Sequence, residues 1–563
     1  MTIRFAILTI GALLSLSACV PPGFAQPTST PPPLHQQIDT LIEKQLSERK
    51  ITPAELSNDA EFVRRVYLDL TGVIPTAKQA RAFLDETAPD KRARLIDERL
   101  SSPDYPLHMA RVFDVMLAER RSPAVGSSFD APPGAWQAYL TASFATNKPW
   151  DQMVREILSS DGSDDHLAGA AKFYLARDVA PHQLTRDIGR LFLGMDLQCA
   201  QCHDDPRFDD YLQADYYGIY AFVQRLKVHP LNPRGALVAE VADGKAKYTS
   251  VFTAQSGTTS PRLPGGEMIA DPELRQGEEY RVKPSPKDRG IPLYSRRAKL
   301  AEHLPRPQTR NFSRNIANRL WAMFLERGIV HPLDLHHAAN PPSHPELLAC
   351  LAEWLVANKY NIRDFLREIA LSQTYQRSSV LPKAVSEVPV EAFAVAPLRG
   401  LSAEQLRWSL LQATGRMEMH FARPAPKPKG SEGPEWKSRL ERYAPLERQS
   451  SALAAAFAGL PGQPDGGFQP VVDQALFLKN SPKLLPLLQD EPGTLLANLA
   501  ATREVETLAE ELYLAILTRR PTREETAEVK NLLDSAKTLA DRKAKLQAMM
   551  WGLLLSAEFR LNH

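Results

Sequence analysis

Apolar residues recur every three or four positions along most of this 563-residue chain, and that spacing constrains the fold more than any other feature. It gives each segment one apolar stripe, which must be buried against a neighbouring element. The pattern is clear over residues 62–70, where Gly72 and Pro75 then end the helix. Thr76-Ala77-Lys78-Gln79 has the form of a capping box and opens the next one. The same spacing predicts helices near 91–102, 106–120, 134–145, 150–159, 183–195 and 215–224, and it returns from Arg310 to the C-terminus. Between about 226 and 300 it gives way to short β-type runs, among them Val228, Leu237-Val238, Val241, Tyr248, Val251-Phe252 and residues 280–282. The expected fold is therefore mainly α, with two helical domains (36–225 and 306–563) and a small β-rich insertion (226–305) between them. A Pro/Lys-rich loop at 423–430 and a break near 459–467 interrupt the second. A hydrophobic content of 43% supplies enough material for two or three cores.

The N-terminus predicts export. Arg4 precedes an apolar run over residues 5–16, too short for a stable span and followed by small residues. Leu16-Ser17-Ala18-Cys19 fits a lipobox, in which Cys19 is acylated and becomes the mature N-terminus. Gly23-Phe24-Ala25 fits a simpler cut before Gln26, leaving residues 1–25 as the signal peptide. The lipobox accounts for an otherwise stray cysteine. Residues 26–35, rich in Pro, Thr and Ser, read as a tether. No later run is long enough to cross a bilayer, so the expected membrane attachment is only a lipid anchor, with the protein in the periplasm or on the outer membrane. The 68 basic and 66 acidic residues leave a net charge of +2, an ordinary solvated surface that gives no argument for nucleic acid.

Two of the four cysteines fall in Cys199-Ala200-Gln201-Cys202-His203. This is the attachment signature of haem c: two thiols bond to the porphyrin vinyl groups, and His203 ligates the iron as the proximal ligand. Residues three apart on one helical turn face the same side, as that chemistry requires. Phe192, Leu193, Met195, Phe208, Tyr216, Tyr217, Tyr220 and Phe222 are available to wall the macrocycle. Met195 and His182 are the candidate distal ligands, weighed against core packing for the first and a loop position beside Pro181 for the second. Two plainer readings compete. In an oxidising compartment the pair can form a disulfide, and with His203 and Asp204 or a remote histidine it can hold zinc. Asp204, Asp205, Asp209 and Asp210 place negative charge beside the motif, which favours ferric iron.

His331, His336, His337 and His344 crowd one Pro-rich stretch. A metal site there competes with a structured connection that ends in Ser343-His344-Pro345-Glu346, a capping box with proline in the first turn. Residues 161–165 carry carboxylates but lack the glycine and distal glutamate of a calcium loop, and read as a helix-ending turn. Cys350 lies in an apolar helical pattern and reads as a buried free thiol. Hydrolase elbows, zinc-protease motifs, phosphate loops and dinucleotide fingerprints do not occur.

Three strings together resemble a known domain: residues 62–76 (Phe62-Val63-Arg64-Arg65-Val66-Tyr67-Leu68-Asp69-Leu70-Thr71-Gly72 and onward), residues 147–156 with Asn147-Lys148-Pro149-Trp150, and residues 198–204 with the later Asp215-Tyr216-Tyr217-Gly218. They are similar to the planctomycete-type cytochrome-like domain of unknown function (PSCyt type). Asn318-Arg319-Leu320-Trp321, residues 340–348, Ser372-Gln373-Thr374-Tyr375-Gln376, residues 474–481 and residues 556–563 resemble its C-terminal partner (PSD type). The resemblance implies an exported bacterial protein with a CxxCH site and supplies no established reaction. Where such proteins usually continue His-Asp-His-Pro, this chain has His203-Asp204-Asp205-Pro206. The expectation is an exported c-type haem protein for electron transfer or an attached redox role, working with a redox partner or a co-exported envelope protein. The alternatives are a non-enzymatic envelope scaffold with a Cys199–Cys202 disulfide, and an enzyme built on the histidine-rich stretch.

Overall fold

The computed structural model describes residues 31–563 apart from 122–131, 133, 207–209, 232–234, 384, 425–433, 464–473, 475, 478–483 and 563. The segment expected to direct export, Cys19 and Phe208 lie outside the described residues, as do Asp209 and most of the Pro/Lys-rich loop. The fold is mainly α. The described helices before the strands are α1 (Leu34–Arg49), α2 (Asp59–Thr71), α3 (Ala77–Asp85), α4 (Lys91–Ser101), α5 (Asp104–Ala118), α6 (Ala135–Ala145), α7 (Trp150–Ser159), α8 (Lys172–Leu175), α9 (Pro181–Leu193) and α10 (Gln213–Val223). Three antiparallel two-stranded pairings follow: β1 (Leu226–Pro230) with β2 (Ala236–Glu240), β3 (Ala246–Thr249) with β4 (Ser256–Thr259), and β5 (Tyr280–Val282) with β6 (Ile291–Pro292). The β-rich stretch thus sits where the broken periodicity predicts it. Helices resume with α11 (Arg296–His303), α12 (Arg310–Leu325), α13 (Pro345–Ala357), α14 (Ile362–Leu371), α15 (Gln373–Gln376), α16 (Ala403–Ala413), α17 (Arg416–Ala422), α18 (Glu435–Gln449) and α19 (Ser451–Phe457). The chain closes with Leu495–Ala501, Val505–Leu517, Arg523–Asp534, Leu539–Leu555 and Ala557–Arg560.

Local signals work as physics requires. Gly72 ends α2 in the left-handed conformation at φ 72°, and Thr76 with Gln79 makes a complete capping box on α3. At the start of α13 the expectation fails in one respect. Pro345 does occupy the first turn, but His344 is the N-cap without a side-chain bond, and the Ser343 hydroxyl donates to the Ile329 carbonyl instead.

The apolar cores draw on both sides of the β-rich stretch. One large apolar core runs from Leu34 to Ala394 and joins α1–α10 to α12–α14. The stripe Leu34, Ile38, Ile42 and Leu46 of α1 packs against α13 and α14, more than 300 positions away. A second core gathers Leu401 to Phe559 together with Leu68, Ile74, Ala77 and Ala80 from α2 and α3. Between them, α2 is enclosed on every side: all residues from Glu61 to Thr71 are buried. No helix among the described residues is long and apolar enough to cross a membrane.

Candidate haem-attachment site

α9 aims the chain at the motif. It stops at Gly194, φ 69°, where the left-handed turn and the adjacent His336 ring leave no room for a Cβ, which would lie 2.6 Å from Cδ2. The next residues are stitched to the far half of the chain. The Met195 backbone bridges Leu335, and the Asp196 amide donates to the Asp334 carbonyl at 2.8 Å. Asp334 in turn takes ion pairs from Arg190 and Arg319. The segment therefore enters the motif from a fixed point.

Cys199–Gln201 forms one turn of 3-10 helix, closed by the Cys202 amide on the Cys199 carbonyl at 3.2 Å. Three residues per turn place positions 199 and 202 on one side more strictly than an α-turn would. Ala200 is buried beneath, whereas both thiols are exposed and free. No disulfide joins them.

The turn rests on α10 and on the β3–β4 hairpin. The Tyr217 hydroxyl donates to the Gln201 carbonyl at 3.2 Å. The Gln213 side-chain amide reaches both the Gln201 and the Thr249 carbonyls at 3.3 Å, tying turn, helix and hairpin at one point. The Asp204 carboxylate accepts the Gln213 amide at 2.7 Å, so one acidic neighbour of the motif serves the N-terminus of α10. Asp210 accepts the Ala338 amide at 2.9 Å, and Asp205 is buried. Of the described acids beside the motif, Asp204 and Asp210 thus hold backbone amides while remaining exposed, and only Asp205 is buried, whereas the two thiols are exposed.

His203 projects from the end of the turn. Its Nδ1 lies 2.7 Å from the Asp204 carbonyl, which can only accept. In the neutral imidazole that ring nitrogen therefore carries the proton, which leaves the Nε2 lone pair for a metal. The imidazole lies over the Phe252 ring, with centroids 4.3 Å apart and planes 28° apart.

On the α10 side an aromatic array begins. Tyr217 stacks on Tyr248 at 4.9 Å and meets Tyr216 and Tyr220 edge-on. His182, in the first turn of α9, packs on Tyr220 at 4.7 Å, and its Nδ1 lies 2.8 Å from the Tyr216 hydroxyl. Burial, with the neighbouring tyrosines, holds the Tyr216 and Tyr217 hydroxyls above their ordinary pKa, so both stay protonated donors. Partial burial lowers that of His182. Met195 is placed differently: it is buried in the main core, and its sulfur accepts from the Asn311 amide at 3.2 Å. Phe192, Leu193 and Phe222 also belong to that core rather than to the surface around the thiols.

The histidine-rich stretch does not converge. His336 is buried against Gly194 and Asn318, His344 against Phe393, and His337 meets Tyr211 edge-on. Among the described residues no group of three or more His, Cys, Asp or Glu side chains is placed to hold a metal ion. Cys350 is free and half-buried, donating to the Gln37 side chain at 3.3 Å. Sequence reasoning missed Phe252. Val251-Phe252 reads as strand, but it is the turn between β3 and β4, and its contact with His203 spans some fifty residues that no local pattern can bridge.

Residues 37–228 match the family described as PSCyt2, protein of unknown function (DUF1549), and residues 296–533 match PSD1, protein of unknown function (DUF1553). No curated protein and no solved structure matches the chain.

Proposed function

As the chain belongs to the proteins that join a PSCyt2 domain to a PSD1 domain, we propose that it is an exported c-type haem protein whose role is electron transfer or an attached redox step. One observation carries the reading: two exposed free thiols and an imidazole with an available Nε2 lie on and beside a single turn whose Gln201 and Cys202 carbonyls are tied to α10 and to the β3–β4 hairpin. Cys199 and Cys202 hold the group. Each thiol adds across one vinyl double bond, sulfur to one carbon and hydrogen to the other, so no oxidant is needed and no atom is lost. His203 supplies the proximal nitrogen, with the Asp204 carbonyl fixing its tautomer. Bound haem supplies one-electron exchange between ferric and ferrous iron. His182 suits the distal position better than Met195, because its Nδ1 is oriented by the Tyr216 hydroxyl, whereas the Met195 sulfur is engaged in the core.

Export and lipidation at Cys19 fit this role, since the thioether chemistry belongs to the same oxidising compartment. The partner is a redox protein or a co-exported envelope protein. The reading is tested by expressing the full chain with a haem-maturation system and recording the reduced alkaline-pyridine spectrum. Wild type shows the α-band of haem bound through two thioethers, and the Cys199→Ser/Cys202→Ser variant shows none. A colourless wild-type protein in a host that matures a control cytochrome refutes it.

A further inference from the structure

The tip of the β3–β4 hairpin carries two exposed apolar side chains side by side, Val251 at 66% and Phe252 at 71% exposure. Neither belongs to either apolar core. The tip is nevertheless held in place. The Val251 amide donates to the Cys202 carbonyl at 3.0 Å, and the Thr249 carbonyl is tied to α10 through Gln213. The Tyr248 ring stacks on Tyr217 and lies against Gly257, where any Cβ would collide with it. At the far end of β4, Arg262 packs against Gly218 of α10 and pairs with Asp215 at 2.9 Å. What Phe252 touches is therefore the motif. Its ring covers one face of the His203 imidazole, while the Asp204 carbonyl occupies Nδ1.

We infer that this hairpin tip is part of the haem-binding surface, with Phe252 the positioning residue that clamps His203 and with Val251 and Phe252 giving apolar cover to the bound porphyrin. The inference rests on the haem reading of Cys199 and Cys202. The occupant follows from adjacency. A flat apolar group held by two thiols of this turn shares its exposed surface with the tip, which is hydrogen-bonded to the second of those residues. An imidazole pinned at Nδ1 and on one face has lost most of its rotational freedom before it meets iron, so less is lost on ligation.

The experiment uses the full mature chain as wild type, Phe252→Ala and Phe252→Leu, each made with and without haem maturation. In the haem-free protein, histidine-selective NMR is expected to show a ring-current shift on the His203 ring protons that vanishes in Phe252→Ala. In the matured protein all three carry covalent haem by mass. Exogenous imidazole displaces His203 from iron at a concentration about tenfold lower in Phe252→Ala, with Phe252→Leu nearer to wild type. An unchanged NMR shift together with an unchanged displacement midpoint, while haem is attached, overturns the clamp alone. Absence of covalent haem from matured wild type overturns the underlying haem reading, and the NMR comparison still decides whether Phe252 holds His203.

Discussion

His203 shows how much of a site can depend on groups that no motif contains. The sequence presents the two thiols and the imidazole, and the structure adds the Asp204 carbonyl on Nδ1 and the Phe252 ring on one face. The first is a backbone atom and the second comes from a turn some fifty residues on, so neither leaves a local signature. The histidines outside the motif carry a separate consequence. His108, His336 and His344 are buried, and desolvation pushes each down to about 4. In the unfolded chain a histidine titrates near 6.5. As pH falls through that value the unfolded state takes up protons that the folded state refuses until about pH 4, so stability falls with pH across this window. Up to three protons are involved, each contributing a slope of about 1.4 kcal/mol per pH unit. Denaturant midpoints measured from pH 7 to pH 4 should drop steadily, and replacing His336 by Asn should flatten that slope; a pH-independent midpoint contradicts the assignment.

At the scale of elements, the helices and the position of the β-rich stretch were legible because a 3.6-residue stripe and its interruption are properties of a short window. The Ser343 capping box was misread because the competing acceptor, the Ile329 carbonyl, belongs to another segment. Gly194 is the element boundary on which the site depends. It combines a left-handed φ of 69° with the His336 ring on one side and the Asn315 side-chain oxygen 3.0 Å from where a Cβ would sit. Gly194→Ala should cost about 1–2 kcal/mol for the backbone alone, with the collision added. The expected readout is a lower thermal midpoint, together with faster hydrogen exchange at Met195 and Asp196. A variant as stable as wild type would show that the turn can relax away from His336.

At the scale of the whole molecule, α2, which carries the first of the strings that resemble a known domain, is the joint between the two cores. Arg64 is completely buried and gives its guanidinium to backbone carbonyls near the C-terminus, Phe559 at 2.6 Å and Leu561 at 3.3 Å, and burial lowers its pKa to about 10. Arg65 reaches the Tyr375 and Arg377 carbonyls at 2.6 and 2.8 Å. Asp69 gathers Arg399 at 2.6 Å, Asn562 at 2.8 Å and the Tyr375 hydroxyl at 2.9 Å. Charged residues on an amphipathic helix ordinarily read as its wet face, and their burial is decided by partners hundreds of positions away. For the same reason a stripe shows that something must cover it and not what. Asp69→Ala strands a buried guanidinium and should cost about 3–5 kcal/mol. It should loosen both cores together, read as one earlier unfolding transition by tryptophan fluorescence and circular dichroism. Two separated transitions, with only one shifted, would contradict the joint.

The central claim is covalent: one porphyrin on Cys199 and Cys202. The most direct test is the intact mass of the mature protein, denatured and acidified after production with haem-maturation machinery. The account predicts the polypeptide plus one haem, with the added mass mapping to the peptide that contains residues 199–203. A spectrum showing only the bare polypeptide, or the polypeptide less two hydrogens for a disulfide between the two thiols, would contradict it.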